Sequence, residues 1–154
     1  MHVAWSPDGT QLATDGYING CRLMVYDIIR DATGAWVAVP KIDLTASGPL
    51  AGPDSFYGLD WANGSNKLAV AVKSAPEGHP DIWIVDLDGN PYNPQNITNT
   101  ADVPERQPSW SPDDSQIVYV RDDSIYKMDA QGGSPVRLAA PGRRTVLRYP
   151  DWRH

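Results

Sequence analysis

A short tryptophan-centred phrase occurs three times in this chain, and this repetition constrains the fold more than any other feature. The phrases read WSPDGTQLA from Trp5, WANGSNKLA from Trp61 and WSPDDSQIV from Trp110. A fourth tryptophan with similar preceding residues stands at Trp152, and successive tryptophans are 42 to 56 residues apart. Repetition at such a period is typical of arrays in which each repeat is one supersecondary unit.

Each repeat contains the same four short, β-rich pieces in the same order. The residues before each tryptophan form a first strand, and a turn rich in Pro, Asp, Asn and Gly connects it to the second strand. In the third repeat Asp114 stands where the first repeat has Gly9, and we expect it to take the left-handed conformation that Asp tolerates. A third strand ending in Asp and a short fourth strand complete the unit. Four antiparallel strands in roughly 40 to 50 residues predict a propeller blade.

The fold predicted from the repeats is all-β, a β-propeller built of four-stranded antiparallel blades. We place the blades at residues 2–50, 55–102 and 103–144, and a partial inner strand at 146–154, in a single repeat array over 1–154. Closed propellers have roughly 4 to 8 blades, so three blades would leave two apolar faces open. Either the chain is part of a longer propeller or copies join. We favour a homodimer that completes a six-bladed ring, since twofold closure is the commonest oligomer symmetry.

Several stretches resemble a known repeat. WSPDGTQLA, IWIVDLDG and QPSWSPDDSQIVYVRDDSIYKMDAQGG are similar to the WD40-like (PD40-type) repeat of TolB-like β-propellers. The resemblance covers nearly the whole chain and implies a scaffold for protein or ligand binding; it also suggests a periplasmic or extracytoplasmic location. Related blades form the propellers of prolyl oligopeptidases and dipeptidyl peptidases. The alternative reading is therefore the propeller portion of such an enzyme, whose catalytic domain is not in this chain.

Composition and motifs argue against several other functions. The net charge of −6 disfavours nucleic acid as a partner, and the apolar runs are far shorter than the roughly 20 residues of a membrane span. No Gly-x-Ser-x-Gly nucleophile motif occurs, and His2, His79 and His154 are far apart in the sequence. We therefore predict no catalytic residues, no metal site and no cofactor. Residues 123–154 carry a net positive charge, which is either ordinary solvated surface or a basic end that contacts the acidic N-terminal surface of a second copy.

The repeat also predicts where a ligand would bind. The four repeat tryptophans are expected to pack as anchors between blades, and the polar residues near them on the inner strands are expected to line a central channel. These residues could bind a protein or a small ligand such as a carbohydrate, could use their carboxylates in lyase or hydrolase chemistry, or could hold only water. The candidates are Tyr57, Asp60, Arg106, Gln107, Ser109, Arg148, Tyr149 and Asp151.

Overall fold

The computed structural model describes residues 1–17, 20–89, 92–142 and 147–152. These residues form three separate four-stranded antiparallel sheets, each with its strands in chain order, and one short 3-10 turn at Gly48–Leu50. Blade 1 comprises β1 (Val3–Trp5), β2 (Gln11–Tyr17), β3 (Cys21–Arg30) and β4 (Trp36–Asp43). Blade 2 comprises β5 (Ser55–Trp61), β6 (Lys67–Lys73), β7 (Asp81–Asp86) and β8 (Gln95–Asn96). Blade 3 comprises β9 (Glu105–Trp110), β10 (Gln116–Arg121), β11 (Ser124–Asp129) and β12 (Val136–Ala139).

The all-β prediction with four-stranded antiparallel blades is confirmed, whereas the exact blade boundaries stay predictions. Residues 147–152, which we call the C-terminal segment, belong to none of the three sheets. The remaining residues of the predicted partial strand, at 146, 153 and 154, lie outside the described residues. In the part of the chain that is described, no helix is long and apolar enough to cross a membrane.

In blades 1 and 3, the turn between the first two strands is held by an aspartate within the turn. In blade 1, Asp8 accepts hydrogen bonds from the hydroxyl of Ser6 at 2.7 Å and from both the N–H and the hydroxyl of Thr10. In blade 3 the equivalent Asp113 accepts the same kind of bonds, and these lower its pKa to about 2. Asp114 next to it has φ of 56°, so the predicted left-handed conformation is confirmed.

The repeat tryptophans of blades 2 and 3 each pack against the preceding blade. Trp61 of blade 2 belongs to the core between blades 1 and 2, where it joins Leu23 and Val25. Trp110 of blade 3 belongs to the core between blades 2 and 3, together with Ile117 and other residues. We call the face of a blade that carries its repeat tryptophan the leading face, and the opposite face the trailing face. Each core thus joins one trailing face to the next leading face.

Blade 2 is buried on both faces because it lies between the other two blades. In β6, Leu68 and Val70 point into the core shared with blade 1, while Ala69 and Ala71 point into the core shared with blade 3. All four are fully buried. This double burial explains why the strand reads as a continuous apolar run instead of alternating with polar residues.

The expectation that all four repeat tryptophans anchor the core is wrong for Trp5. Its side chain is 55% exposed, whereas Trp61 and Trp110 are buried. The reason is positional: Trp5 lies on the leading face of blade 1, and no sheet precedes that face in the described chain. The same residue type at the same repeat position is therefore buried or exposed according to whether a trailing face lies opposite.

Candidate ligand-binding site

The inner strands of blades 2 and 3 and the C-terminal segment share an unusual backbone conformation at one repeat position. Gly58, Gln107 and Tyr149, each three residues before its repeat tryptophan, have φ values of 120°, 54° and 54°. In β5 and β9 this position coincides with a shift in strand register, as a β-bulge produces. Positive φ is costly for Gln and Tyr, so packing must impose it. The C-terminal segment repeats the positive φ of the inner strands at the equivalent position, although within the described residues it belongs to no sheet.

Consecutive bulges touch one another around the axis. A Cβ atom placed on Gly58 would lie 2.8 Å from the Cα atom of Gln107, so only glycine fits at this contact. Gln107 in turn accepts a hydrogen bond at its Oε1 from the N–H of Tyr149, at 2.8 Å. The bulges of blade 2, blade 3 and the C-terminal segment thus form one connected series.

The bulges bring polar side chains from different inner strands into one cavity. Tyr57, Arg106 and Arg148 occupy equivalent positions, each directly before the bulge residue, and bulges commonly re-aim side chains in this way. The cavity has a volume of about 220 Å³ and we call it the axial cavity. Five of the eight sequence-predicted residues border it, together with three others; the full lining is His2, Tyr57, Arg106, Gln107, Val120, Asp123, Arg148 and Tyr149.

Two guanidinium groups give the axial cavity a positive character. The Cζ atom of Arg106 lies 5.0 Å from the ring centroid of Tyr57, a cation–π distance, and its buried Nε has no hydrogen-bond partner within the described part of the chain. Arg148 is exposed. Among the described residues neither arginine forms an ion pair. Asp123 is the one carboxylate among the lining residues.

Asp60 lies between blades and does not border the axial cavity. Its Oδ2 accepts a hydrogen bond from the N–H of Trp110 at 2.8 Å, and its Oδ1 accepts one from the N–H of Trp61 at 3.0 Å. Burial raises the pKa of Asp60 above its ordinary value, more than its hydrogen bonds from Trp110, Ser109 and Trp61 lower it, and the charge of Asp151 adds to the rise. In this position the carboxylate links the inner strands of blades 2 and 3.

Ser109 and Asp151 also lie off the axial cavity. Ser109 is buried beside Asp60, and Asp151 is exposed at the edge of a different depression on the trailing face of blade 3. The structure thus brings together Tyr57, Arg106, Gln107, Arg148 and Tyr149, and leaves Asp60, Ser109 and Asp151 outside that group. Whether any of the eight binds a ligand stays a prediction.

Comparison with known proteins agrees with this architecture. No family model matches the chain. A curated relative, the Tol-Pal system protein TolB of a Polaromonas species, is 31% identical over 126 residues, which is 77% of this chain and 28% of the relative. The structure of a TolB from Agrobacterium tumefaciens superposes with a TM-score of 0.65 over 88% of this chain and 47% of that one, at 21% identity. The chain is built of TolB-like, WD40-like propeller blades.

The likeness extends to a second solved propeller. Sqt1 of Chaetomium thermophilum matches the TolB-like blades with a TM-score of 0.55, over 84% of this chain and 30% of that one, at 20% identity. The chain therefore spans less than half the length of each of these relatives. At such sequence identities the two solved structures support the fold of this chain, and they do not assign a ligand to it.

Three lining residues of the axial cavity were not among the sequence-predicted site residues: His2, Val120 and Asp123. His2 borders the axial cavity, and its Nδ1 lies 2.5 Å from Oδ2 of the buried Asp15. The signal was present, because His2 stands three residues before Trp5, the same spacing as Gly58 before Trp61. Among the described residues, no three His, Cys, Asp or Glu side chains are grouped closely enough to hold a metal ion.

Proposed function

We propose that this chain is a non-catalytic binding scaffold that holds a ligand or a protein partner at the axial cavity. The observation that carries the proposal is the meeting of polar side chains from separate inner strands in one cavity, with an unpartnered arginine donor among them. The non-catalytic part is supported by the absence of a Gly-x-Ser-x-Gly motif from the sequence. The relative's name, which places it in the Tol-Pal system, favours a protein partner over a metabolite.

The proposal is tested by a fragment screen read by two-dimensional NMR of the ¹⁵N-labelled chain. We expect amide shifts that saturate and cluster at Tyr57, Gln107 and Tyr149, and that disappear in Tyr57→Ala. Tyr92→Ala is the matched control, since Tyr92 is a partly exposed tyrosine on blade 2 away from the axial cavity. Saturable shifts that cluster elsewhere and survive in Tyr57→Ala would contradict the axial site.

We further propose that a second copy covers the leading face of blade 1 and so closes a ring. The side chains of Val3 and Trp5 are 53% and 55% exposed there, beside a depression of about 800 Å³. Exposed apolar surface of this kind is typical of an association site. The apolar side chains that border the depression are those of Met1, Leu12, Met24, Tyr26, Ala38 and, from blade 2, Phe56.

The shape of the missing partner can be argued from the other blades. Trp61 and Trp110 both pack on the trailing face of a blade of this kind, so the surface that suits Trp5 is another such trailing face. Blade 3 offers one. The C-terminal segment already lies beside it, with Trp152 at the same depression as Val118 and Leu138. Ring closure therefore requires the second copy's blade 1 to displace the C-terminal segment or to pack onto it.

Light scattering behind size exclusion, over a range of concentrations, tests the ring. We expect a species of twice 16.9 kDa that dissociates in Trp5→Glu, because a buried charge at the interface would be unpaired. Trp36→Glu is the control, since Trp36 is an exposed tryptophan of blade 1 outside that depression. A monomer at every concentration would contradict ring closure and leave the axial binding proposal standing.

A further inference from the structure

We propose that the axial cavity recognises a carboxylate group. This inference rests on the proposed function, because it takes the cavity to be a binding site and names its chemistry. Arg106 and Arg148 stand at equivalent repeat positions on neighbouring inner strands and border the same cavity. The planar guanidinium donates parallel hydrogen bonds that match the two oxygens of a carboxylate, which makes a pair of arginines a suitable receptor.

The hydrogen-bonding state of Arg106 points to a missing acceptor. Its Nε is buried and has no partner among the described residues, although buried polar atoms in native proteins are nearly always satisfied. Its guanidinium lies over the ring of Tyr57, at 5.0 Å from the centroid. The stacking holds the guanidinium in place, so a ligand would meet a preorganised donor and lose little entropy on binding.

The charge balance of the cavity favours an anion. Elsewhere in the chain Arg22 pairs with Asp43 at 2.6 Å, and Arg121 lies 3.7 Å from Glu105. Arg106 and Arg148 have no such partner among the described residues, and Asp123 offsets only one of their two charges. A local positive site on a chain of net charge −6 contrasts with its surroundings and would attract an anionic group specifically.

The size and the remaining lining narrow the class of ligand. A cavity of about 220 Å³ admits a carboxylate with a few attached carbon atoms, so the ligand is a short acid or the carboxylate end of a peptide. Gln107 uses its Oε1 to accept from Tyr149, which leaves its amide nitrogen as a donor. The phenol of Tyr149, 69% exposed, adds a second neutral donor.

The test uses two carboxylates and their uncharged counterparts at constant ionic strength. Succinate and acetyl-triglycine are titrated into the ¹⁵N-labelled chain, with succinamide and acetyl-triglycinamide as controls, and the Nε–H signal of Arg106 and the amide of Tyr149 are followed. We expect saturable shifts with the carboxylates alone. Tighter binding of succinate would identify a free acid as the source, and tighter binding of acetyl-triglycine would identify a peptide C-terminus.

Variants separate recognition from general electrostatics. Arg106→Gln and Arg148→Gln are each expected to weaken carboxylate binding about tenfold, and Arg106→Lys, which keeps the charge but loses the fork, is expected to weaken it less. Arg30→Gln is the matched control, because Arg30 also stacks on an aromatic ring, that of Trp36 at 4.3 Å, but lies outside the cavity. Circular dichroism of each variant checks that it folds.

The outcomes distinguish this inference from the proposal beneath it. Equal binding of the amides, or unchanged affinity in both Arg106→Gln and Arg148→Gln, would overturn carboxylate recognition while the cavity remained a binding site. Tighter binding of inorganic phosphate than of either carboxylate would overturn it in favour of a phosphate site. No saturable shift at the cavity with these probes or with the fragment screen would overturn both proposals.

Discussion

The leading face of blade 1 and the trailing face of blade 3 are the two ends of the same stack of blades, yet they are covered to different degrees. On blade 1, more than half of the surface of Val3 and Trp5 is exposed. On blade 3, Val118 and Val120 are 6% and 4% exposed although no further sheet follows in the described chain. The C-terminal segment accounts for the difference, since Leu147, Pro150 and Trp152 border one depression with Val118.

The comparison shows what a blade interface needs. A trailing face is covered near the axis by the inner strand of the next blade, and six residues with one tryptophan achieve this on blade 3. Farther from the axis the C-terminal segment does not reach, and Val136 and Leu138 of β12 remain about half exposed. The inner strand and its tryptophan therefore bury the inner half of the interface, and the rest of the blade is required for the outer half.

The largest expected effect comes from a substitution that disrupts the interface between blades 2 and 3. Trp110→Ala should lower the free energy of unfolding by about 3 to 5 kcal/mol, because it removes a large buried side chain from the core between blades 2 and 3. Trp5→Ala, at the same repeat position, should cost less than about 1 kcal/mol as a surface change. Urea unfolding at a protein concentration too low for self-association measures both. Similar losses in the two variants would mean that Trp5 has a buried partner.

The next effect concerns the covered end of the stack. Trp152→Ala should lower the free energy of unfolding by about 1 to 2 kcal/mol, since a half-buried tryptophan contributes less than a fully buried one. It should also increase binding of a hydrophobic dye as Val118 becomes exposed. Trp36→Ala serves as the control because its side chain is 65% exposed. If dye binding did not rise, the C-terminal segment would not be what covers blade 3.

The smallest expected effect is a pH dependence of the free energy of unfolding that arises from Glu105, at the interface between blades 2 and 3. Glu105 lies five residues before Trp110, where the C-terminal segment has Leu147. Glu105 is fully buried. Burial raises the pKa of Glu105, and Asp81 adds to the rise, whereas the hydroxyls of Thr98 and Thr100 and the charge of Arg121 oppose it.

The raised pKa of Glu105 in the folded state fixes the direction in which Glu105 affects stability as pH changes. The fold prefers the protonated acid, so the contribution of Glu105 to stability is complete below its unfolded pKa of about 4.3. That contribution is lost as pH rises through the raised folded value. Tyr119, which also lies beside Glu105, has a pKa of about 12 and stays neutral over this range. Glu105→Gln should remove this fall in the free energy of unfolding between pH 4.5 and 7.5.

The control for that measurement is Glu77→Gln, which changes an exposed glutamate in the loop between β6 and β7. Its pH dependence of unfolding should match that of the unchanged chain. Asp60 titrates in the same direction in both variants, so it cancels in the comparison. A fall in stability with pH that is equally steep in Glu105→Gln would show that Glu105 is ionised in the fold at little cost.

The blades could be predicted from the sequence because their signals are local and repeated. The turn around Asp8, the left-handed Asp114 and the alternation within strands each depend on a few neighbouring residues. The three repeats then support one another, so an irregular copy such as the second is still recognised. The exposure of Trp5 could not be predicted in this way, because it depends on whether a neighbouring blade is present and not on the repeat itself.

The bulges could not be predicted because no residue type marks them. Gly58, Gln107 and Tyr149 have little in common beyond their position, and their backbone is fixed by contact with the neighbouring inner strand. The same holds for the side chain of Asp114. Its carboxylate accepts hydrogen bonds from the turn of blade 2, some fifty residues away, and this bridge cannot be inferred from either turn alone. The bonds come from the N–H groups of Asn63 and Gly64 and from the hydroxyl of Ser65.

The packing of a repeat tryptophan on the blade before it also has a consequence for synthesis on the ribosome. A blade that has just emerged cannot bury its trailing face until the inner strand of the next repeat follows. The trailing face of each sheet therefore stays exposed to solvent until residues that are translated later cover it. The cooperative unit of folding is then one sheet together with the next inner strand, and its boundary is displaced along the chain from the boundary of the repeat.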